Sequence, residues 1–387
     1  MAKPGEAGAV GLRLVPALRS RVCLLHLHPY ARVNPVRLPA GPREPQVVPD
    51  RSVSGRDLRP PSAAGPGHPG DHPAPNIFVP LPPWCSPITM PGADYIYPNV
   101  TEVAQRGGLL ERWHLAEPLG CTYVEIPADF IKNRTEVERT GQDIGSILKR
   151  SSVELLYERE TALPGSLAYI LHTEPAIPRR DQHGRQVQVD LRWRDREWLA
   201  AFGDMLLDIE DHLGIPPDII EIHPGSRKNT HADIVTAMHT LIVAHWNAFG
   251  VEPLVLLENH TDQGISTASQ MQAFWETLRE RHPEIASLAG IALDPWHLRA
   301  AAKGEFPGSL HRVPPAALQA FHIHNNLMPP AAADTIPWRE VFSAIESLPA
   351  RPRIKPVVYQ KSRVAEAIAF CEEMLAKPLA AHAVPPA

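Results

Sequence analysis

The 387-residue chain is poor in cysteine and aromatics and has no long apolar run, and each shortage removes a class of protein. Its four cysteines, Cys23, Cys85, Cys121 and Cys371, form no pair motif. That excludes a disulfide scaffold and a thiolate metal cluster, and it fits a reducing compartment. No apolar stretch approaches the roughly 18 residues needed to span a bilayer, so no membrane partner is expected and the expected address is cytoplasmic. Basic charge is also short. The chain carries 38 Lys and Arg against 43 Asp and Glu, and beyond residue 75 the balance is 28 against 38. An acidic body without a basic stripe and interleaved aromatics argues against nucleic acid as a partner.

Proline is abundant, with 43 in all and 14 in the first 75 residues. That stretch lacks sustained periodicity and cannot bury enough surface to offset its conformational entropy, so 1–75 is expected to be a disordered Pro/Arg-rich extension. Two readings of it stand: an organellar transit segment, or a mis-assigned, over-extended translation start. The segment Arg13 to Arg37 is acid-free, which suits the first, while its prolines break any long amphipathic helix and favour the second. Met90 falls inside the first expected barrel unit, so a natural start is expected before Asn76.

Residues 76–387 alternate short apolar runs with stretches of helical spacing. Runs at Ile77 to Pro80, Tyr123 to Ile126, Ala168 to His172, Ile219 to His223, Leu254 to Leu257, Ile291 to Leu293, Ala320 to Ile323 and Pro356 to Tyr359 read as eight strands. Asp195 and Ser269 are candidate helix caps, and Gly214 and Gly250 stand where helices should stop. Strand and helix in alternation predict a parallel sheet, and eight units predict closure into an α/β fold, the (β/α)8 TIM barrel.

Run after run ends in a carboxylate or an imidazole: Glu125, His172, His223, Glu258, Asp294 followed by His297, and His322 with His324. The carboxyl ends of parallel barrel strands converge on one mouth, so these side chains are expected to meet there. Imidazole and carboxylate together suit Zn²⁺ or Mn²⁺, one ion or two, with Mg²⁺ allowed, and not Ca²⁺. Each has a plainer reading. Glu258 and Asp294 could be salt-bridged to a buried Arg or Lys, His172 could be a hydrogen-bonded structural residue, and Glu125 could pair with a neighbouring Arg. His183, His212, His231, His239 and His245 read as helix or loop surface.

His-Pro-Gly-Ser at 223 to 226, Leu-Glu-Asn at 257 to 259 with Gln263-Gly264, Leu-Asp-Pro-Trp-His at 293 to 297, His-Ile-His-Asn-Asn at 322 to 326 and Ile-Pro-Trp at 336 to 338 resemble the xylose-isomerase-like barrel superfamily. That superfamily includes sugar and sugar-phosphate isomerases and epimerases as well as endonuclease IV, which cuts DNA at abasic sites. The resemblance implies that Glu258 can bridge two metals, that Asp294 and His322 hold the main metal, and that His172 and His223 hold a second, hydrolytic one. His297 resembles a histidine that serves a third. At the end of the last strand, where the superfamily usually has a glutamate, Gln360 is expected. It can coordinate a metal but cannot act as a base near neutral pH. The Asp-x-His pair after the seventh strand is missing, since Leu327 to Thr335 offers only Asp334, and Trp84 to Gly92 replaces a small-residue turn used on DNA.

His260, Gln263, His297, His324, Trp296 and Lys361 are candidate substrate contacts, and Glu258, His223 and Glu125 candidate catalytic groups. Trp84 and Trp296 could stack on a sugar face or simply close the mouth. The leading expectation is a metal-dependent enzyme that isomerises or epimerises a small sugar, sugar phosphate or keto acid, with a homodimer as an allowed assembly. The alternatives are a binuclear phosphoester hydrolase resembling endonuclease IV and a non-catalytic sugar-binding barrel.

Overall fold

The protein is described here by a computed structural model covering residues 92–100, 108–159 and 168–376. Within them eight parallel strands close into a barrel: β1 (Asp94–Tyr97), β2 (Tyr123–Ala128), β3 (Ala168–Thr173), β6 (Ile219–Ile222), β7 (Leu254–Glu258), β8 (Ala289–Leu293), β9 (Leu318–Ile323) and β10 (Arg353–Pro356). β1 pairs with both β2 and β10, which completes the ring. An antiparallel hairpin of β4 (Ala176–Arg180) and β5 (Gln186–Gln188) is inserted after β3. The (β/α)8 expectation holds, and among the described residues the coat consists of α1 (Leu109–Ala116), α2 (Arg134–Thr140), α3 (Arg150–Leu156), α4 (Arg196–Leu213), α5 (His231–Phe249), α6 (Ala268–Arg281), α7 (Pro295–Ala302), α8 (Phe306–Leu310), α9 (Trp338–Glu346) and α10 (Val364–Ala376).

Helix boundaries follow local chemistry. Asp195 caps α4 by accepting from the N–H groups of Glu197 and Trp198, and Gly214 and Gly250 end α4 and α5 in left-handed conformation. Thr267, not Ser269, caps α6, because the Thr267 hydroxyl and the Gln270 amide form a reciprocal capping box. His245 is not on the surface: it is fully buried on α5, with Nε2 2.6 Å from Glu210 Oε1 on α4.

Two barrel strands lie elsewhere than expected. The run Ile77 to Pro80 falls outside the described residues, and the strand that closes the barrel is Asp94–Tyr97. The last strand is Arg353–Pro356, ahead of the Pro-Val-Val-Tyr run. Uninterrupted apolar runs look more strand-like than Asp-Tyr-Ile-Tyr or Arg-Ile-Lys-Pro, yet an inward charge every second residue is what a polar barrel mouth requires. The expectations for residues 1–75 and Trp84 also fall outside the described residues.

The barrel interior is layered by this period of two. Ile96, Ile170, Ile219, Leu256, Ala292 and Ala320 form an apolar plug separate from the main core. Two residues further along five of those strands stand His172, Glu221, Glu258, Asp294 and His322. Each strand therefore lifts a titratable side chain just above an apolar floor.

The turn after β6 is tightly built. Gly225 has φ 69°, and a Cβ there would lie 2.7 Å from Asn229 Nδ2 and 2.8 Å from the Leu191 carbonyl oxygen. Gly225→Ala combines a left-handed backbone penalty with a steric clash, so a loss of about 2–4 kcal/mol is expected in urea unfolding.

Candidate metal centre

The lower tier of the mouth is a closed network of carboxylates and cations. Lys355, on β10, is 1 % exposed, with Nζ 2.9 Å from Glu221 Oε1 and 3.3 Å from Glu125 Oε1. His172, on β3, reaches three other strands: Nδ1 lies 2.5 Å from Glu125 Oε1, and Nε2 lies 3.0 Å from Glu258 Oε2 and 3.1 Å from Glu221 Oε1. Glu258 is the hub. Its Oε2 is 3.1 Å from His223 Nε2, and its Oε1 is 3.1 Å from His322 Nδ1.

Burial would raise the Glu221 carboxyl, but His322, Lys355 and His172 outweigh it and hold the group down at about 2. Burial and Lys355 would lower His172, yet Glu221, Glu125 and Glu258 prevail and raise its imidazole to about 10. Against burial, Glu221 and Glu258 likewise raise His322 to about 9. The network requires positive charge wherever these carboxylates face an imidazole.

A divalent cation meets the same requirement with the imidazoles neutral. Three groupings in this mouth have ligand atoms within 4.8 Å of one another, and Glu258 belongs to all three: with His172 and His223, with Glu221 and His322, and with Asp294 and His297. Glu221 Oε2 and His322 Nε2 are buried without a hydrogen-bond partner; His322 Nε2 approaches Glu221 Oε1 to 2.7 Å outside hydrogen-bonding geometry. Buried polar atoms without partners of their own are suited to take an ion or a water, so this donor set fits a divalent cation.

Above this tier Asp294 caps α7 (Pro295–Ala302), its Oδ1 accepting from His297 N–H at 2.9 Å. His324 Nε2 lies 2.8 Å from Asp294 Oδ2, and His297 Nε2 lies 3.8 Å from the same oxygen. His260 stacks on His297 with ring centroids 4.0 Å apart. Burial, His297 and His223 lower the His260 imidazole to about 4, so this ring is neutral.

The fold thus brings Glu125, His172, His223, Glu258, Asp294, His297, His322 and His324 together, with His260 and Trp296 beside them. Gln360 is not among them. It is exposed at the start of a 3-10 turn, because β10 ends at Pro356 and the chain has left the barrel by then. Lys361 is exposed beside it. Gln263 is buried, and its Oε1 accepts from Gly225 N–H at 2.8 Å, which makes it a brace between two loops. Asp334 is a brace too: it accepts from the Asn325 amide, the Ala331 N–H and the Trp338 indole.

Glu221 and Lys355 went unread in the sequence. The available signal was the period of two: Glu221 shares a face with His223, and Lys355 shares one with Arg353 in an alternating Arg-Ile-Lys-Pro run. Glu125, which could have paired with a neighbouring Arg or met substrate or metal, is ion-paired to Lys355, and the buried Arg112 guanidinium also feels its charge.

No family model matches the chain, and no curated protein matches it. Among solved structures it is similar to D-psicose 3-epimerase from Clostridium cellulolyticum H10, at 12% identity over 73% of this chain and 99% of that one, with TM-score 0.46. It is also similar to a xylose isomerase domain containing protein from Salmonella typhimurium LT2, at 13% identity, 75% and 100% coverage and TM-score 0.46. A third is an AP endonuclease, family 2, from Brucella melitensis, at 14% identity, 72% and 97% coverage and TM-score 0.45.

Removing Lys355 leaves Glu125 and Glu221 buried without their shared cation. Lys355→Met is expected to cost about 3–5 kcal/mol in urea unfolding, far more than an exposed Lys→Met change.

Proposed function

We propose that this chain is a divalent-metal-dependent isomerase or epimerase of a small sugar-like molecule that carries a carbonyl beside a hydroxyl. The observation that supports this is Glu258, whose two oxygens face His172 and His223 on one side and His322 on the other at the barrel mouth. Glu258, Asp294 and His322, with His172 and His223 close by, would hold Mn²⁺ or Zn²⁺. The bound ion would polarise the carbonyl and its neighbouring hydroxyl.

Exchange of a carbon-bound proton needs a group that can accept it. Gln360 could not, and it is away from the site. Glu125 and Glu258 approach His172 from its two ring nitrogens, so a second carboxylate lies one imidazole away from Glu258. With His223 they are the groups proposed to move the proton. The partner is proposed to be a small polar molecule, consistent with the acidic body, and the address cytoplasmic. Among the described residues no helix is long and apolar enough to cross a membrane.

A second reading has one specific support. The sets His172–His223–Glu258 and Glu221–Glu258–His322 share Glu258, and two cations bridged by one carboxylate would suit phosphoester hydrolysis.

Elemental analysis of the purified chain, with His172→Ala and Asp294→Ala alongside, separates these readings. One equivalent of metal that is lost with Asp294→Ala and survives His172→Ala is expected. Incubation of the metal-loaded chain with ketoses and their phosphates in D₂O should then put deuterium on the carbon beside the carbonyl, and Glu258→Gln should reduce the rate at least about 100-fold. Two equivalents, with phosphate release and no deuterium uptake, would turn the reading to a hydrolase, and absence of metal would leave a binding barrel.

A further inference from the structure

The turn that follows β9 carries a conformation its sequence does not favour. Asn326 and Leu327 have φ 51° and 61°, and Asn325 and Met328 exchange two backbone hydrogen bonds of 2.9 and 3.1 Å around them. Both central residues are left-handed, as in a type I′ turn, where glycine is the usual choice and leucine is a poor one. The Tyr359 N–H donates to the Leu327 carbonyl at 3.2 Å and holds the turn from the β10 side.

This conformation aims one group. The Leu327 N–H donates to His324 Nδ1 at 2.9 Å. A nitrogen that accepts a backbone N–H carries no proton, so the proton of the neutral ring sits on Nε2, which faces Asp294 Oδ2 at 2.8 Å. The same device occurs a second time from another loop. The Thr261 N–H donates to His297 Nδ1 at 3.2 Å, and His297 Nε2 faces the same Asp294 oxygen at 3.8 Å.

We propose that His297 and His324 are positioning residues and not metal ligands: each is fixed by a backbone N–H as its Nε2–H tautomer, and together they hold the Asp294 carboxylate for the cation. To ligate through Nε2, either ring would have to move its proton to Nδ1 and place two N–H groups against each other. The grouping of Glu258, Asp294 and His297 within 4.8 Å is therefore no third cation site, although its spacing alone would allow one. Asp294 Oδ1 accepts from the His297 N–H and Oδ2 faces the two imidazoles, which leaves a defined lone-pair direction on Oδ1. The part of the proposal that concerns the cation rests on the metal-dependent reading above.

Two measurements on the full chain test it. Long-range ¹H–¹⁵N correlation of the histidine rings, assigned with His297→Gln and His324→Gln, should show Nε2 protonated and Nδ1 bare for both residues. A proton on Nδ1 of either ring overturns the proposal. Calorimetric titration with Mn²⁺ or Zn²⁺ should show His324→Phe weakening binding about 10–100-fold with the number of ions unchanged. His324→Gln, which can still donate to Asp294, should recover most of that affinity, and Asp294→Ala should lose the ion. Loss of a whole equivalent in His324→Phe, or unchanged affinity, overturns the positioning role. A wild-type chain that binds neither ion overturns the metal-dependent reading instead, and the ring spectra then decide the tautomers on their own.

Discussion

Four carboxylates, Glu125, Glu221, Glu258 and Asp294, are buried at the mouth of this barrel, and the rest of the site is arranged around the need to neutralise them. A permanent cation, Lys355, comes from inside the fold and is ion-paired to two of them. It sits low, between Glu125 and Glu221, and it cannot reach the outer oxygen of every carboxylate. The imidazoles of His172 and His322 fill part of the deficit by taking up protons, and their strongly raised basicity measures how much charge is still wanted. A divalent ion answers the same deficit without protons, which is why metal and proton compete for these rings.

The apolar plug makes that competition local. Ile96, Ile170, Ile219, Leu256, Ala292 and Ala320 pack beneath the charged tier, so the charges above them lie against an apolar floor that screens them little. A side chain two residues further along each strand then has one direction open to it, toward the mouth. Layering of this kind ties fold to chemistry: the same alternation that packs the floor fixes the height of every titratable group above it.

Much of this was legible in the sequence. The strand-end residues Glu125, His172, His223, Glu258, Asp294 and His322 could be read because apolar runs mark strands and parallel strands converge at their carboxyl ends. What escaped reading was register at the barrel's seam. β10 is Arg-Ile-Lys-Pro, short and half charged, whereas the Pro-Val-Val-Tyr run after it looks more like a strand. Choosing the latter put Gln360 in the site and hid Lys355. The preference for His322 over His324 as a ligand came from the resemblance alone, and the left-handed Leu327, whose N–H donates to His324 Nδ1, is a conformation that no local propensity announces.

The charge pattern around the opening also bears on substrate. A phosphate dianion would need cationic groups at the mouth, but His260 is neutral, and the Nε2 atoms of His297 and His324 are turned toward Asp294. Lys355 lies beneath the carboxylates it neutralises, and Arg227 and Lys228 are exposed on the loop after β6. An uncharged polyhydroxyl molecule meets no such objection. Its hydroxyls can donate to His260 or to the carboxylates, and its carbonyl can meet the cation that those carboxylates call for. On electrostatic grounds the proposed reading is therefore better served by a free sugar than by its phosphate.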